Sequence, residues 1–559
     1  MSYIRRAVLL IRRFKMSAEK VLKSNVIYTG RDSRIISGGV AVSGNKITAV
    51  CEGSEIDKYI GPDTEVYEFK DKLIMPGIID NHVHVTMGAM MHDNDLNLEG
   101  TKSAEECVEM VRDFLRRNPD TSLLVASGWM ISAWDNQELP RKEMLDEIST
   151  EIPICLGTAD GWLCWVNSKA LEMFGYTKES ITGDKEIYVK KDEAGELTGM
   201  LYHTGSDPVF FMLLNIDKTQ AKEMLKYSLG IYSSFGITAA GDVSNELEIE
   251  KEPKGFRLYR EMENAGDLDV RMYVYPSIGK TGDFTYAKEL MDEYSDGYVI
   301  MPGLKAYGDG VIDAHTGVLN APYNDKPEDP DYNAVPIFTQ EALSDIITKA
   351  NAAGYPVRIH CTGDGSTRMA LNAFEASIKA NGRHGLRNGI EHIELVEDED
   401  YPRFAELDVM ANKQPAHYYL CTEKFMLDAL GERRWFRSQP LKSLYDNGAK
   451  VSLSTDFPIV EINPFHNMYV AVTRLDLDGN EIGADINEKL DIFQALSGYT
   501  YMGAYGMGVE DKIGSLEAGK LADIAVINGR VFDEEPEKLL DRKSVLTMMD
   551  GRIVYKDEQ

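Results

Sequence analysis

The sequence predicts an α/β protein, a (β/α)₈ barrel with a smaller β-structure built from both ends of the chain. Eight short apolar runs alternate with helix-like segments between residues 77 and 458, which is typical of parallel strands. Hairpin-like segments lie at both chain ends, and reactive side chains recur where the apolar runs finish. A barrel places its working residues at that end of its strands.

The apolar runs have the length of strands, and the segments between them, such as QEALSDIITKANAAG, have helical character. An open doubly wound sheet would show the same periodicity, and the reactive residues at the run ends favour the barrel. The eight runs are 77–85, 236–243, 270–276, 303–310, 356–361, 388–395, 408–415 and 450–458.

The domain boundaries follow from these patterns. Residues 1–15 are expected to be a disordered or artefactual extension, because they are basic and Met16 offers a second start. Residues 16–76 and 508–559 supply the two halves of the terminal β-structure, and residues 77–507 form the barrel. Residues 86–225 are an insertion on its catalytic face, and they hold four of the five tryptophans (Trp129, Trp134, Trp162 and Trp165). These rings are expected either to wall a substrate pocket or, more commonly, to be plain core.

Composition narrows the function classes. The 559 residues include 43% apolar and 27% charged residues, as in a globular protein. Lys and Arg number 60 against 91 Asp and Glu, a net charge of −31, which argues against nucleic-acid and anionic-membrane partners. Six cysteines without a Cys-x-x-Cys pair, and no apolar stretch of 18 residues, indicate a cytoplasmic protein. A homodimer is compatible with a barrel of this size.

Histidines and one aspartate at the run ends predict a metal site. His82 and His84 point to the same side of one strand, together with Asp80. His360, His392 and Asp456 lie at the ends of the fifth, sixth and eighth runs, so a barrel would bring them to a common centre. Imidazoles with a carboxylate suit zinc, manganese, iron, cobalt or nickel better than magnesium.

Other residues are weaker candidates. Lys305, in the fourth run, would face the same centre, and as a metal ligand its ammonium would need deprotonation or modification; the alternative is a surface lysine. Arg358 is expected to form a structural ion pair rather than to bind an anionic substrate.

Several motifs resemble the amidohydrolase superfamily and, more narrowly, the type 3 amidohydrolases, a branch that includes N-substituted formamide deformylases. The resemblance rests on PGIIDNHVHV, WVNSKAL, GELTGML, HCTGD, IEHIEL, KQPAH, STDFP and the closing KIGSLEAGKLADIAVI, and it covers residues 21–555. It implies a distorted TIM barrel, a β-sandwich built from both chain ends, and one or two divalent metal ions, usually zinc.

The resemblance also implies roles for individual residues. His82 and His84 would hold the more buried metal ion and His360 and His392 the more exposed one, with Lys305 as a bridging carboxylated lysine. Asp456 would bind metal, take a proton from the metal-activated water and pass it to the leaving amine. Asp364 and His417 match positions that the branch usually fills identically, so each could orient a ligand or substrate; the alternative is a capping or loop role.

The implied reaction is hydrolysis of a C–N bond in a small amide, N-acyl or cyclic amide compound. Ester hydrolysis, deamination and a non-catalytic metal-binding role are the alternatives. Trp162 and His203 stand where many members of the branch carry histidine and glutamate, so the substrate is expected to differ from formamides, with both residues near it.

Overall fold

The structure is a computed structural model. It describes residues 17–92, 96–134, 138–159, 161, 163–183, 185–202, 205–206, 208–209, 218–243, 254–278, 284–326, 329 and 331–557. In the described part of the chain the strands are β1 (Lys20–Tyr28), β2 (Ile35–Ser43), β3 (Lys46–Glu52), β4 (Glu65–Glu68), β5 (Leu73–Pro76), β6 (Ile78–Val83), β7 (Leu124–Trp129), β8 (Ile154–Thr158), β9 (Leu163–Val166), β10 (Val189–Lys191), β11 (Leu197–Tyr202), β12 (Ile237–Asp242), β13 (Arg271–Val274), β14 (Val299–Ile300), β15 (Leu304–Tyr307), β16 (Val357–Cys361), β17 (Gly389–His392), β18 (Met410–Lys413), β19 (Lys450–Leu453), β20 (Ile524–Ile527), β21 (Ser544–Met549) and β22 (Arg552–Lys556).

Helices connect most of the strands between β6 and β20. Several begin with a side-chain cap, for example Thr339, whose hydroxyl accepts a hydrogen bond from the Ala342 N–H. The helices are α1 (Val85–His92), α2 (Ala104–Arg117), α3 (Lys142–Asp146), α4 (Ser168–Met173), α5 (Lys185–Tyr188), α6 (Lys218–Ser234), α7 (Lys254–Ala265), α8 (Thr285–Glu293), α9 (Gln340–Ala352), α10 (Asp364–Asn381), α11 (Tyr401–Leu407), α12 (Glu423–Leu430), α13 (Glu432–Phe436), α14 (Lys442–Asp446), α15 (Pro464–Thr473), α16 (Ile492–Gly498) and α17 (Tyr501–Gly506).

Two parallel sheets carry the eight predicted runs. One has the order β14-β13-β12-β6 and the other β15-β16-β17-β18-β19. Each of the eight runs contains one of these strands, and β14 is an additional short strand that the sequence did not indicate. These strands are almost wholly buried, as expected where helices cover a parallel sheet.

Main-chain hydrogen bonds join the two parallel sheets at both edges. Beyond β13, Ile278 N–H donates to Lys305 O (2.7 Å), and Lys305 N–H donates to Pro276 O (2.8 Å). At the other edge Asp456 N–H donates to His82 O (2.9 Å). The polar side chains predicted at the strand ends therefore belong to one continuous structure.

Strands from both chain ends form one eight-stranded sheet of order β22-β21-β20-β5-β1-β2-β3, with β4 paired to β1. Residues separated by hundreds of positions pair directly, such as Met75 with Ala525. This sheet passes straight into the first parallel sheet, because β5 ends at Pro76 and β6 begins at Ile78.

Within residues 86–225, the segment predicted to be an insertion, a separate five-stranded sheet has the order β10-β11-β9-β8-β7. Its core includes Trp129, Trp134 and Trp165, all almost fully buried. Trp129 stacks on Trp134 with ring centroids 4.9 Å apart, and its indole N–H donates to Leu156 O (2.8 Å). Such packing is the plain-core role of these rings.

Arg271 connects β13 to the terminal sheet through a buried ion-pair network. Its guanidinium donates to both carboxylate oxygens of Asp523 (2.7 and 3.1 Å) and to Asp550 (2.7 Å). Tyr298 donates to the other Asp550 oxygen (2.8 Å) and stacks on the guanidinium. Burial makes this pair costly to break, because each unpaired charge would stay away from water.

We predict that Arg271→Met lowers the free energy of unfolding by about 3–5 kcal/mol, since it leaves the Asp523 carboxylate buried without its cation. Chemical denaturation followed by circular dichroism measures this change. Arg530→Met, which removes an exposed pair with Asp533, is the control and should leave the midpoint close to that of the wild type. Equal midpoints for both variants would contradict a stabilising role for Arg271.

Candidate metal centre

Asp456 is the centre of a cluster of histidines at the ends of the parallel strands. Its Oδ1 lies 3.3 Å from His82 Nε2 and 3.4 Å from His84 Nε2. Its Oδ2 lies 3.3 Å from His417 Nε2 and 3.7 Å from His392 Nδ1. Five side chains from four segments that are distant in sequence therefore meet within a few ångströms.

These distances fit a shared metal ion. In a tetrahedral zinc site, bonds of about 2.0–2.2 Å place the donor atoms about 3.3–3.5 Å from one another. His82, His392 and Asp456 each offer one donor atom, and the three atoms lie within 4.8 Å of one another. The geometry suits a divalent cation better than direct hydrogen bonding among the side chains.

The cluster also contains buried polar atoms that make no hydrogen bond within the described residues. They are both ring nitrogens of His392, His417 Nε2, Asp456 Oδ1 and Lys305 Nζ. Buried polar atoms are nearly always satisfied in folded proteins, so a concentration of exceptions indicates a missing partner. A cation coordinated by nitrogen and oxygen would supply that partner.

Hydrogen bonds set the tautomers of two histidines. His82 Nδ1–H donates to Glu391 Oε2 (2.5 Å), which leaves the lone pair on Nε2 facing Asp456. His360 Nε2–H donates to Gly310 O (2.9 Å), which leaves the lone pair on Nδ1. A metal-ligating histidine needs this arrangement, with one nitrogen donating to the protein and the other presenting its lone pair.

Glu391 is the residue that sequence reasoning missed. Besides the His82 imidazole, its carboxylate accepts two hydrogen bonds from Arg358 (2.7 and 3.1 Å) and one from Asn412 (2.7 Å). Arg358 also contacts Asn81 and lies over the Tyr275 ring. The Arg358 guanidinium therefore belongs to a structural ion pair with Glu391. The sequence hinted at such a partner only through Arg358 itself, which lies two residues before His360 and so on the same face of the strand.

Charge at the centre is adjusted by burial. Burial lowers the pKa of His82, His360 and His392, so all three imidazoles are neutral and able to bind metal near pH 7. Although burial opposes ionisation of Asp456, the neighbouring His82, His417 and His84 hold the pKa of its carboxyl well below the usual value. The centre thus combines neutral nitrogen donors with a carboxylate.

Backbone conformation aims two of the ligands. His392 and Asp456 have positive φ angles of 69° and 63°, which non-glycine residues seldom adopt. Asp80 accepts hydrogen bonds from the Thr455 N–H (2.8 Å) and hydroxyl (2.6 Å), and so fixes the residue before Asp456. The Asp80 carboxylate therefore binds Thr455 and not the histidine cluster, although Asp80 and His82 lie on the same strand.

Lys305 is fully buried next to this centre. Its Nζ lies 5.2 Å from the centre of the Tyr307 ring. Burial lowers the pKa of Lys305 to about 8, even though Glu391 and Asp456 act in the opposite direction. The alternative of a surface lysine is wrong, because β15 points this side chain into the interior.

Of the residues that were weaker candidates for substrate binding, only one lies at the histidine cluster in the described part of the chain. His417 lies at the cluster, with its ring stacked on that of His392 at 5.6 Å. Asp364 lies at the start of α10, accepts from Asn320 N–H (3.0 Å) and lines a cavity of about 720 Å³. Trp134 lies in the insertion core, while Trp162 and His203 lie outside the described residues, so a substrate role stays a prediction for these positions.

We predict that Glu391→Gln weakens zinc binding by about ten- to a hundredfold, because His82 loses the charged acceptor that holds its tautomer. Competition with a chromophoric chelator measures the dissociation constant. Glu399→Gln, at an exposed carboxylate paired with Arg368, is the matched control and should bind zinc like the wild type. Unchanged zinc affinity in Glu391→Gln would exclude this role.

The similarity of this chain to several known proteins extends over nearly its whole length. The protein LONG AFTER FAR-RED 3 of Arabidopsis thaliana is 25% identical over 551 residues, which is 96% of this chain and 92% of that protein. The N-substituted formamide deformylase of Arthrobacter pascens is 25% identical over 539 residues, covering 92% of this chain and 94% of the enzyme.

A solved structure described as an uncharacterised metal-dependent hydrolase from Pyrococcus horikoshii OT3 has the same fold. The TM-score is 0.69 at 23% identity, with 96% of this chain and all of that chain covered. The sequence pattern of the amidohydrolase family, type 3, matches residues 65–555, which include all six predicted metal ligands. The chain is therefore a member of the amidohydrolase family.

Proposed function

We propose that this protein is a metal-dependent hydrolase that cleaves a C–N bond in a small amide, N-acyl or cyclic amide compound. The convergence of His82 Nε2 and His84 Nε2 on Asp456 Oδ1, at 3.3 and 3.4 Å, carries the proposal. Family membership and the names of the formamide deformylase and of the pyrococcal hydrolase support it.

His82, His84 and Asp456 would hold one divalent cation, and His360 and His392 are the donors for a second. Zinc suits this set, because imidazole nitrogen and carboxylate oxygen are its common ligands. When bound, such a cation lowers the pKa of a coordinated water and polarises a substrate carbonyl.

Asp456 would carry the proton in this reaction. Its carboxylate takes a proton from the attacking water and delivers it to the leaving nitrogen as the C–N bond breaks, so that one residue serves as base and then as acid. The ionised state of the Asp456 carboxyl fits the first step. The surrounding buried histidines keep the carboxylate away from bulk water and fix its orientation.

Lys305 would serve as a carboxylated, bridging ligand. Among the residues that the structure describes, the buried Lys305 Nζ has no hydrogen-bond partner. An ammonium there is unfavourable beside a cation, and conversion to a carbamate replaces its positive charge with a negative one. The lowered pKa of Lys305, about 8, supports this role because the neutral amine is the form that reacts with carbon dioxide.

We also infer that the two parallel sheets close into one (β/α)₈ barrel and that the terminal sheet belongs to a β-sandwich. The main-chain bonds at both edges of the parallel sheets support closure. On this arrangement the metal centre lies at the carboxyl ends of the barrel strands, where barrel enzymes carry their active sites.

We predict one to two equivalents of zinc or a similar metal per chain in protein purified without chelator, and a marked loss of that metal in His82→Ala. Elemental mass spectrometry measures both, with Glu399→Gln as the control. A wild type that holds no metal even after resupply would overturn the proposed function.

We predict that Asp456→Asn folds and retains most of its metal but turns over amide substrates at least about a hundredfold more slowly, because the proton acceptor is lost. The rate is measured on a compound that the wild type hydrolyses, found by screening amide, N-acyl and cyclic amide libraries. Near-normal turnover with normal metal content would remove Asp456 from the proton-transfer role.

A further inference from the structure

Strand β17 ends in a tight turn centred on a predicted metal ligand. Ile393 N–H donates both to Cys361 O on strand β16 and to Glu391 O (2.9 Å each), and the second bond makes a three-residue turn with His392 in the middle at φ 69°. A γ-turn of this hand is rare and strained. Ile393 follows with φ 53°, an unfavourable angle for a β-branched residue. Something in the tertiary structure must hold these two residues in place.

Lys413, on the neighbouring strand β18, contacts both of them. Its Nζ donates to His392 O, to Ile393 O (2.8 Å) and to Gln439 Oε1 (3.1 Å). An ammonium has three N–H groups, and all three are used. The side chain is fully buried, and its three hydrogen-bond acceptors are neutral oxygens.

The third acceptor is itself held in place. Gln439 N–H donates to Glu394 O (2.7 Å), so Gln439 is tied to the segment that follows the turn. Gln439 O accepts a hydrogen bond from Arg474 (3.1 Å), whose guanidinium lies 3.8 Å from the centre of the Tyr418 ring. Lys413 therefore occupies a constructed site around residues 392–394 and not a chance gap in the core.

Burying an ammonium among neutral oxygens costs more than burying an apolar side chain of the same size. General stability would therefore be served better by a methionine or leucine at this position. The ammonium instead fixes the conformation of the main chain. It binds the carbonyl oxygens of two consecutive residues at one point and so sets the orientation of the turn that contains them.

We propose that Lys413 is a positioning residue that holds the turn at the end of β17 and thereby aims the His392 imidazole into the metal centre. The proposal rests on the proposed function, because it requires that His392 binds metal. Lys413 acts through the main chain of His392 and touches neither metal nor substrate.

The test compares zinc affinity and the visible absorption spectrum of the cobalt-loaded protein in Lys413→Met and wild type. We expect Lys413→Met to bind zinc about ten- to a hundredfold more weakly, as for other residues that orient metal ligands, and to show an altered cobalt spectrum. The spectrum reports ligand geometry, which a loss of general stability would not change. Lys450→Met removes a lysine on the next strand that bonds Tyr505 (2.6 Å) away from the centre, and should match the wild type in both measurements.

Lys413→Gln, with two uncharged donors, should fall between the wild type and Lys413→Met, and it decides the question if Lys413→Met does not fold. A folded variant whose zinc affinity is within about twofold of the wild type, with an unchanged cobalt spectrum, overturns the proposal. That result would leave the metal centre standing. A wild type that binds no zinc would instead overturn the centre and the proposal together.

Discussion

The candidate centre depends on the buried carboxylate of Glu391. It joins a permanent cation, Arg358, to the imidazole of His82, and Asn412 donates to the same group. Burial works against ionisation of Glu391, but Arg358 and His82 together hold the pKa of its carboxyl well below the usual value. Because the carboxylate stays charged, His82 keeps one tautomer and presents Nε2 to the centre.

A second constraint comes from the main chain at the strand ends. The side chains of a regular strand alternate between two faces, so neighbouring residues such as Glu391 and His392 would normally point apart. The positive φ angle of His392 breaks that alternation. Glu391 can therefore accept a hydrogen bond from His82 Nδ1 while His392, one residue later, lies in the same histidine cluster. Asp456, which follows strand β19, also has a positive φ angle, and Asp80 fixes the threonine that precedes it.

The supporting groups are placed on rigid elements. Glu391, Arg358, Asn412 and Lys413 lie on parallel strands that are buried along their length. Strand residues have little freedom to move, which keeps metal ligands within the narrow limits that a coordination sphere demands. Burying these polar groups costs desolvation energy, and the hydrogen bonds of Glu391 with Arg358 and Asn412 limit that cost.

The local patterns of the sequence predict the eight runs that contain the parallel strands, because hydrophobic periodicity distinguishes strands from helices. They also predict His82, His84, His360, His392 and Asp456 as candidate metal ligands, because histidines at successive strand ends are rare by chance. The sequence also indicated that the tryptophans could simply be core residues, and Trp129, Trp134 and Trp165 do lie in a hydrophobic core.

What only the tertiary structure decided are the partners that cross between elements. Nothing local distinguishes Glu391 from any other acidic residue, and its role depends on Arg358, Asn412 and His82 from three other strands. The strand pattern places Asp80 on the same side as His82, whereas the tertiary structure pairs its carboxylate with Thr455. Lys413 stands out in the sequence only as the first residue of the KQPAH motif, and nothing local shows that its side chain binds two main-chain oxygens and the side-chain oxygen of Gln439. Periodicity records which face a residue presents, whereas hydrogen-bond partners are set by how distant segments meet.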